Sequence, residues 1–169
     1  MICDAAHVRK VGNFPDSLSA TVIDPHIRTA KRRLKRWVGA SAYTTAETES
    51  EATGVPRDFS GVADATLDLA DAEAYLAIAI GLPSFNTVME GVTGGSAAGI
   101  TMTGIVGENT YRYMNPDELK KMREKYLENA YEAAKDYLSD TTGGMSPGPG
   151  ISYALDADGY EIDEDWPED

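Results

Sequence analysis

Leu119, Met122, Tyr126, Ala130, Ala133 and Tyr137 recur at intervals of three and four, which draws one apolar stripe along a helix. The stretch from Asn115 to Ser139 also carries its own boundaries. Asn115 suits the cap, Pro116 the first helical position, and Glu118 stands three residues after the cap as a capping box requires. Asp140, Thr141, Thr142, Gly143 and Gly144 stop it. Asp24 and Pro25 open an earlier helix by the same logic, with Ile27, Ala30, Leu34 and Trp37 or Val38 on its apolar face and Gly39 as its stop. A third helix is predicted from Ser60 to Ile80. Val62, Ala65, Leu69, Ala72, Leu76 and Ile80 form its stripe, Leu67, Tyr75 and Ile78 widen it, and Gly81, Leu82 and Pro83 end it. Its many alanines favour helix and permit close approach of a neighbour, in the core or between subunits.

Between these stripes the pattern changes. Residues 100–106 and 110–114 alternate enough for two short strands, with Gly107, Glu108 and Asn109 as the turn. A hairpin of that size is marginal alone and needs helices or another chain's sheet to pack against. Residues 1–23 hold turn signals at Gly12, Asn13 and Pro15 but no helical stripe, so an irregular arm is expected, with short extended pieces at 8–11 and 20–23. Residues 40–57 are small, polar and acidic and read as a loop or linker. Residues 84–98 read as a glycine-rich connection, and 141–150, rich in glycine and proline, as a flexible or extended linker. Together these predict a mainly α fold. It is a small bundle of about three main helices at 24–140, with a short β-hairpin near 99–114, an N-terminal arm at 1–23, and a linker and acidic C-terminal tail at 141–169.

Composition bounds this picture. The 169 residues, 42% apolar, fit one domain with tails and a modest core. No apolar run is long enough to suggest a membrane span, and Asp4 sits where a secretory signal would need an apolar run. Cys3 is the only cysteine, which excludes an internal disulfide and fits assembly in a reducing cytosol. The net charge of −13 is unevenly spread. Residues 1–40 hold eight Lys and Arg against three acids, whereas 156–169 hold eight acids and no base. Such segregation suits electrostatic contact with different partners or with copies of the chain, as well as plain solvated surfaces.

The sharpest candidate surface is Arg28, Lys31, Arg32, Arg33, Lys35 and Arg36, six positive charges in nine residues. It reads either as a solvated face or as a contact with DNA or an acidic partner. Aromatics are absent there except Trp37, and no helix is predicted closely before it, so neither single-strand stacking nor a helix-turn-helix is supported. Tyr153, Tyr160 and Trp166, set among acids, look like a docking tail, with plain disorder as the alternative.

No catalytic constellation emerges. Asp156, Asp158, Gly159 and Glu161 resemble a calcium loop in the wrong register. Gly91 to Gly99 lacks the lysine of a phosphate loop. His7 and His26 have no ligand-spaced companions, and His26 reads as a surface residue. Asp68 with Asp71, or Asp136 with Asp140, are carboxylate pairs of a kind helices carry routinely. The expectation is therefore a protein that is not an enzyme and needs no cofactor or metal.

Three stretches in this order, DPHIRTAKRRLKRWVG, DLADAEAYLAIAIGLP and GITMTGIVGENTYRYMNPDELKKMREKYLENAYEAA, resemble the head–tail connector (neck adaptor) proteins of tailed bacteriophages. The resemblance spans about residues 24–138 and is closest over 99–134; the first 23 residues and the acidic tail depart from it. It implies a virion protein assembled in the host cytoplasm as a ring, often of twelve copies, seated on the portal. Such a ring extends the DNA channel without reading sequence and receives the next neck or tail protein. The alternative is a small DNA-binding regulator using Arg28–Arg36.

Overall fold

The computed structural model describes residues 1–93, 104–106, 109–111 and 116–139, with the backbone alone over 86–93 and in the two strands. The described chain is mainly helical. Its helices are α1 (Ala5–Gly12), α2 (Ala20–Val38), α3 (Ala40–Glu51), α4 (Asp64–Thr93) and α5 (Pro116–Ala134), the last followed by a 3₁₀ turn at Lys135–Tyr137. Strands β1 (Gly104–Val106) and β2 (Asn109–Tyr111) pair antiparallel with Ile105 opposite Thr110. The turn between them and the rest of the 99–114 region lie outside the described residues, as do 140–169.

Helix α4 is the centre. Leu69, Ala70, Ala72, Ala74, Leu76, Ala77, Ile78, Ala79 and Leu82 are all essentially inaccessible, so this helix is buried well beyond one stripe, with the edge at Asp64, Asp68, Asp71 and Tyr75 reaching solvent in its first half. A helix of that kind needs several neighbours, and α1, α2, α3 and α5 each pack on it. Alanine makes this possible, because it adds little bulk between helix axes and favours the helix itself. Helix α2 contributes the cleanest facing stripe, Ile23, Ile27, Ala30, Leu34 and Val38. Helix α5 buries Ala130 and Ala134 fully, while Leu119, Met122, Tyr126, Leu127 and Tyr137 are partly covered.

Several expectations change, and five α-helices stand among the described residues where about three main ones were expected. Residues 1–23 are not an irregular arm: Asp4 caps α1 by accepting from the His7 backbone N–H at 2.8 Å, and Asn13 ends it in the left-handed region at φ 52°. Ile2, Cys3, Val8 and Leu18 then enter the core. The expected extended pieces at 8–11 and 20–23 are both helical. Helix α2 starts at Ala20, one turn before the Asp24–Pro25 signal, because Ile23 has a fully buried place to fill. Pro25 is exposed inside that helix, where the carbonyl it leaves without a helical donor belongs to exposed Thr21.

The 40–57 stretch contains α3 in place of a loop. Tyr43, Ala46 and Ser50 give it a buried edge, and Gly39 turns the chain into it at φ +82°. Helix α4 passes through Gly81, Leu82 and Pro83 instead of ending there. Pro83 points outward, while Leu82 and Phe85 anchor the helix on both sides of it. Gly81 is a close-packing position: a Cβ there would stand 2.4 Å from the Phe85 ring tip and 2.7 Å from the His26 ring.

Candidate interaction surface and the polar cluster behind it

The six basic residues of α2 separate into two groups. Arg28, Arg32, Lys35 and Arg36 are exposed and make no ion pair among the described residues. Their spacing of four, seven and eight residues places them on one stripe about 12 Å long, roughly opposite the face that Ile27 and Leu34 bury. Lys31 and Arg33 flank the core instead and are half-buried. Lys31 donates to Glu47 of α3 at 2.5 Å, and its ammonium lies 5.5 Å from the Tyr43 ring centroid. The hydrogen bond to Glu47 raises the Lys31 pKa against a smaller opposing effect of burial. The expected six-residue surface is thus four outward charges and two that belong to the bundle's edge.

Behind that edge lies a polar cluster not foreseen from sequence. Glu73, on the fully buried stretch of α4, accepts from the Tyr43 hydroxyl and from the Cys3 backbone N–H at 2.7 Å. Burial raises the Glu73 pKa, and the two donors only partly counter it. Burial also raises Tyr43 and Cys3, with the neighbouring Glu73 charge adding to both. Further out, Ser50 donates to the Ile2 carbonyl, and Glu47 accepts from the Met1 amino group as well as from Lys31. Arg57 closes the cluster, its guanidinium donating to the Ser50 and Gly54 carbonyls and its backbone N–H to Asp4 at 2.8 Å. The result ties the first residues of the chain to α3 and α4. Its sequence signals were a lone glutamate amid alanines and a lone aromatic in a polar stretch.

The remaining candidates have structural partners. His7 is buried, 2.7 Å from Asp71 and with its ring centroid 4.6 Å from that of Phe59. His26 is half-buried rather than on the surface; it meets Phe85 edge-on at 5.3 Å, and burial lowers its pKa. Asp68 accepts from the Tyr137 hydroxyl at 2.8 Å, which holds the end of α5 to α4. No group of three or more His, Cys, Asp and Glu placed to hold a metal ion occurs among the described residues.

An open cleft of about 390 Å³ lies between α3 and the start of α4, lined by Glu49, Thr53, Asp58 and Val62 among others. Glu49 there accepts from the Ala63 backbone N–H at 2.9 Å and from the Thr66 hydroxyl, so it caps α4 from a neighbouring helix. Tyr153, Tyr160 and Trp166, the expected docking tail, lie outside the described residues, as do the Asp156–Glu161 and 94–99 stretches. No helix among the described residues is long and apolar enough to cross a membrane. No protein-family model, curated protein or solved structure matches the chain.

Proposed function

We propose that this chain is a structural head-to-tail connector subunit of a tailed phage. It forms a ring below the portal, extends the DNA channel and docks the next neck or tail protein. The reading rests on the resemblance of residues 24–138, and one observation carries it furthest. A helical bundle is followed by a long α4–α5 connection that includes a paired strand segment, and a last helix then returns onto α4. In this reading the 99–114 region is a β-hairpin that, with the C-terminal extension, reaches neighbouring copies or portal.

The division of surfaces supports a part that works by fit. The core packs aliphatic and aromatic side chains against the alanine-rich α4, whereas the α5 seam at Leu119, Met122, Tyr126 and Leu127 is only partly covered. A ring is built from one heterologous contact repeated by rotation, which a chain with unlike ends and faces can supply. Complementary charge would set partner and register more than raw affinity. The test is to measure the mass of the purified chain alone and mixed with portal particles, and to image the mixture in negative stain. Rings seated on portal are expected; a chain that stays monomeric and never joins portal at any concentration overturns the reading.

The second reading, a small DNA-binding regulator, draws on the exposed stripe Arg28, Arg32, Lys35 and Arg36. It predicts duplex binding that weakens steeply with salt and is lost when Arg32 and Arg36 become Ala. The net charge of −13 opposes it, since most of the surface would repel phosphate.

A further inference from the structure

We propose that the acidic segment 156–169 of this same chain docks on the basic stripe of α2, so that an isolated subunit covers its own cationic surface. Three observations lead there. The stripe consists of Arg28, Arg32, Lys35 and Arg36, exposed and without ion pairs among the described residues. The described chain ends beside it: the Ser139 backbone N–H donates to the Trp37 carbonyl at 2.8 Å, and a Cβ on Gly39 would lie 3.5 Å from the Ser139 Cβ. The continuing chain therefore leaves from the C-terminal end of α2, one residue from Arg36. Finally, the segment that follows at 156–169 holds eight acids and no base.

Reach is ample. Sixteen residues separate Ser139 from Asp156, and at about 3.3–3.6 Å per extended residue they span several times the roughly 12 Å of the stripe. Each exposed ion pair is weak by itself. A short tether, however, supplies the second partner at an effective concentration in the millimolar range, which a separate copy or a free acidic peptide must exceed. That advantage selects the chain's own tail over a neighbour's at ordinary protein concentrations. The docked state is electrostatic and so yields to salt, or to a partner or polyanion with a denser charge. This inference does not depend on the connector reading, since it concerns the free subunit.

Zero-length carbodiimide crosslinking of the full chain, mapped by peptide mass, tests it directly. Lys35 is the only amine of the stripe, and the exposed Lys135–Glu132 pair, 2.8 Å apart, is a built-in positive control. At low salt Lys35 is expected to link to carboxylates of 156–169. The yield should fall several-fold between about 0.01 M and about 1 M salt, as the screening length drops from roughly 30 Å to roughly 3 Å. An equal mixture of isotope-labelled and unlabelled chains should give Lys35 crosslinks of unmixed isotope.

Mixed-isotope crosslinks would assign the stripe to a second copy and overturn the proposal. So would the absence of a Lys35 link while the control pair reacts. A second arm uses a variant with the tail partly neutralised, Asp163→Asn, Glu164→Gln and Asp165→Asn. It is expected to bind heparin several-fold more tightly than the parent chain; equal binding overturns the shielding.

Discussion

Glu73 places a carboxylate where α4 is otherwise surrounded by aliphatic side chains, and its two oxygens are taken by Tyr43 and the Cys3 N–H. Removing it in Glu73→Ala strands both donors, each at a cost of about 1–3 kcal/mol when buried. The variant should therefore melt well below the parent in a thermal scan. Glu73→Gln keeps an oxygen for Cys3 and offers its amide to the Tyr43 oxygen, so it should be far milder. The two variants also differ from the parent in pH response. Burial raises the Glu73 pKa above its ordinary 4.5. Its contribution to stability is thus complete below the unfolded value and is lost as pH rises through the raised one. Measured by denaturant unfolding, Glu73→Gln should gain on the parent as pH increases across that window; a pH-independent difference would refute the assignment. Glu47 acts with the opposite sign. Burial disfavours its charge, but the Lys31 and Met1 ammonium groups outweigh this and hold its pKa below normal. Its contribution is present above the unfolded value and disappears as pH falls through the folded one, so Glu47→Gln should flatten the acid limb of the stability curve.

At the level of elements, Gly81 and Pro83 show how packing overrides local punctuation. Glycine followed by proline ordinarily ends a helix, yet here α4 runs on to Thr93. The glycine makes room for the His26 and Phe85 rings, and the proline faces out. Gly81→Ala should gain about 1 kcal/mol of helix propensity and lose about 1–3 kcal/mol to overpacking, for a net loss of stability in urea unfolding. His26→Ala in the same chain should recover part of that loss, and strict additivity would show that the rings do not crowd this position. The same tension explains what could be read in advance. The stripes of α2 and α5 were visible because one face is apolar and the other charged. The centrality of α4 was hidden, since alanine counts weakly in any periodicity while being ideal for burial beyond one stripe. Helix α3 was missed because Tyr43 and Ala46 are the only apolar members of its buried edge. The start of α1 had a cap at Asp4 but too short a stripe to register. Among the candidate binding residues, the outward positions of Arg28, Arg32, Lys35 and Arg36 followed from helical spacing, whereas the inward turn of Lys31 required Glu47, sixteen residues away on a helix not foreseen.

For the whole molecule, the decisive feature is that every other helix packs on α4. No peripheral helix keeps its burial once α4 leaves, and α4, with nine aliphatic side chains buried between Leu69 and Leu82, has no stable exposed state. Unfolding should then be one cooperative event despite the partly covered seam under α5. The chain has two tryptophans, Trp37 on α2 and Trp166 in the acidic tail. In a Trp166→Phe variant, fluorescence reports α2 alone, while far-UV circular dichroism reports all helices. The two denaturation curves are expected to superimpose. A dichroism loss preceding the Trp37 transition would mean that α5 detaches first, as its half-covered Leu119, Met122, Tyr126 and Leu127 would permit if the Tyr137–Asp68 bond were its main anchor. Coincident curves would instead show that α2 and α5 come apart together with α4, with no partly unfolded form populated. Under the ring reading proposed above, a bundle that holds together as one unit matters, because any error in the angle between a subunit's two contacting faces is multiplied by the number of copies before the ring can close.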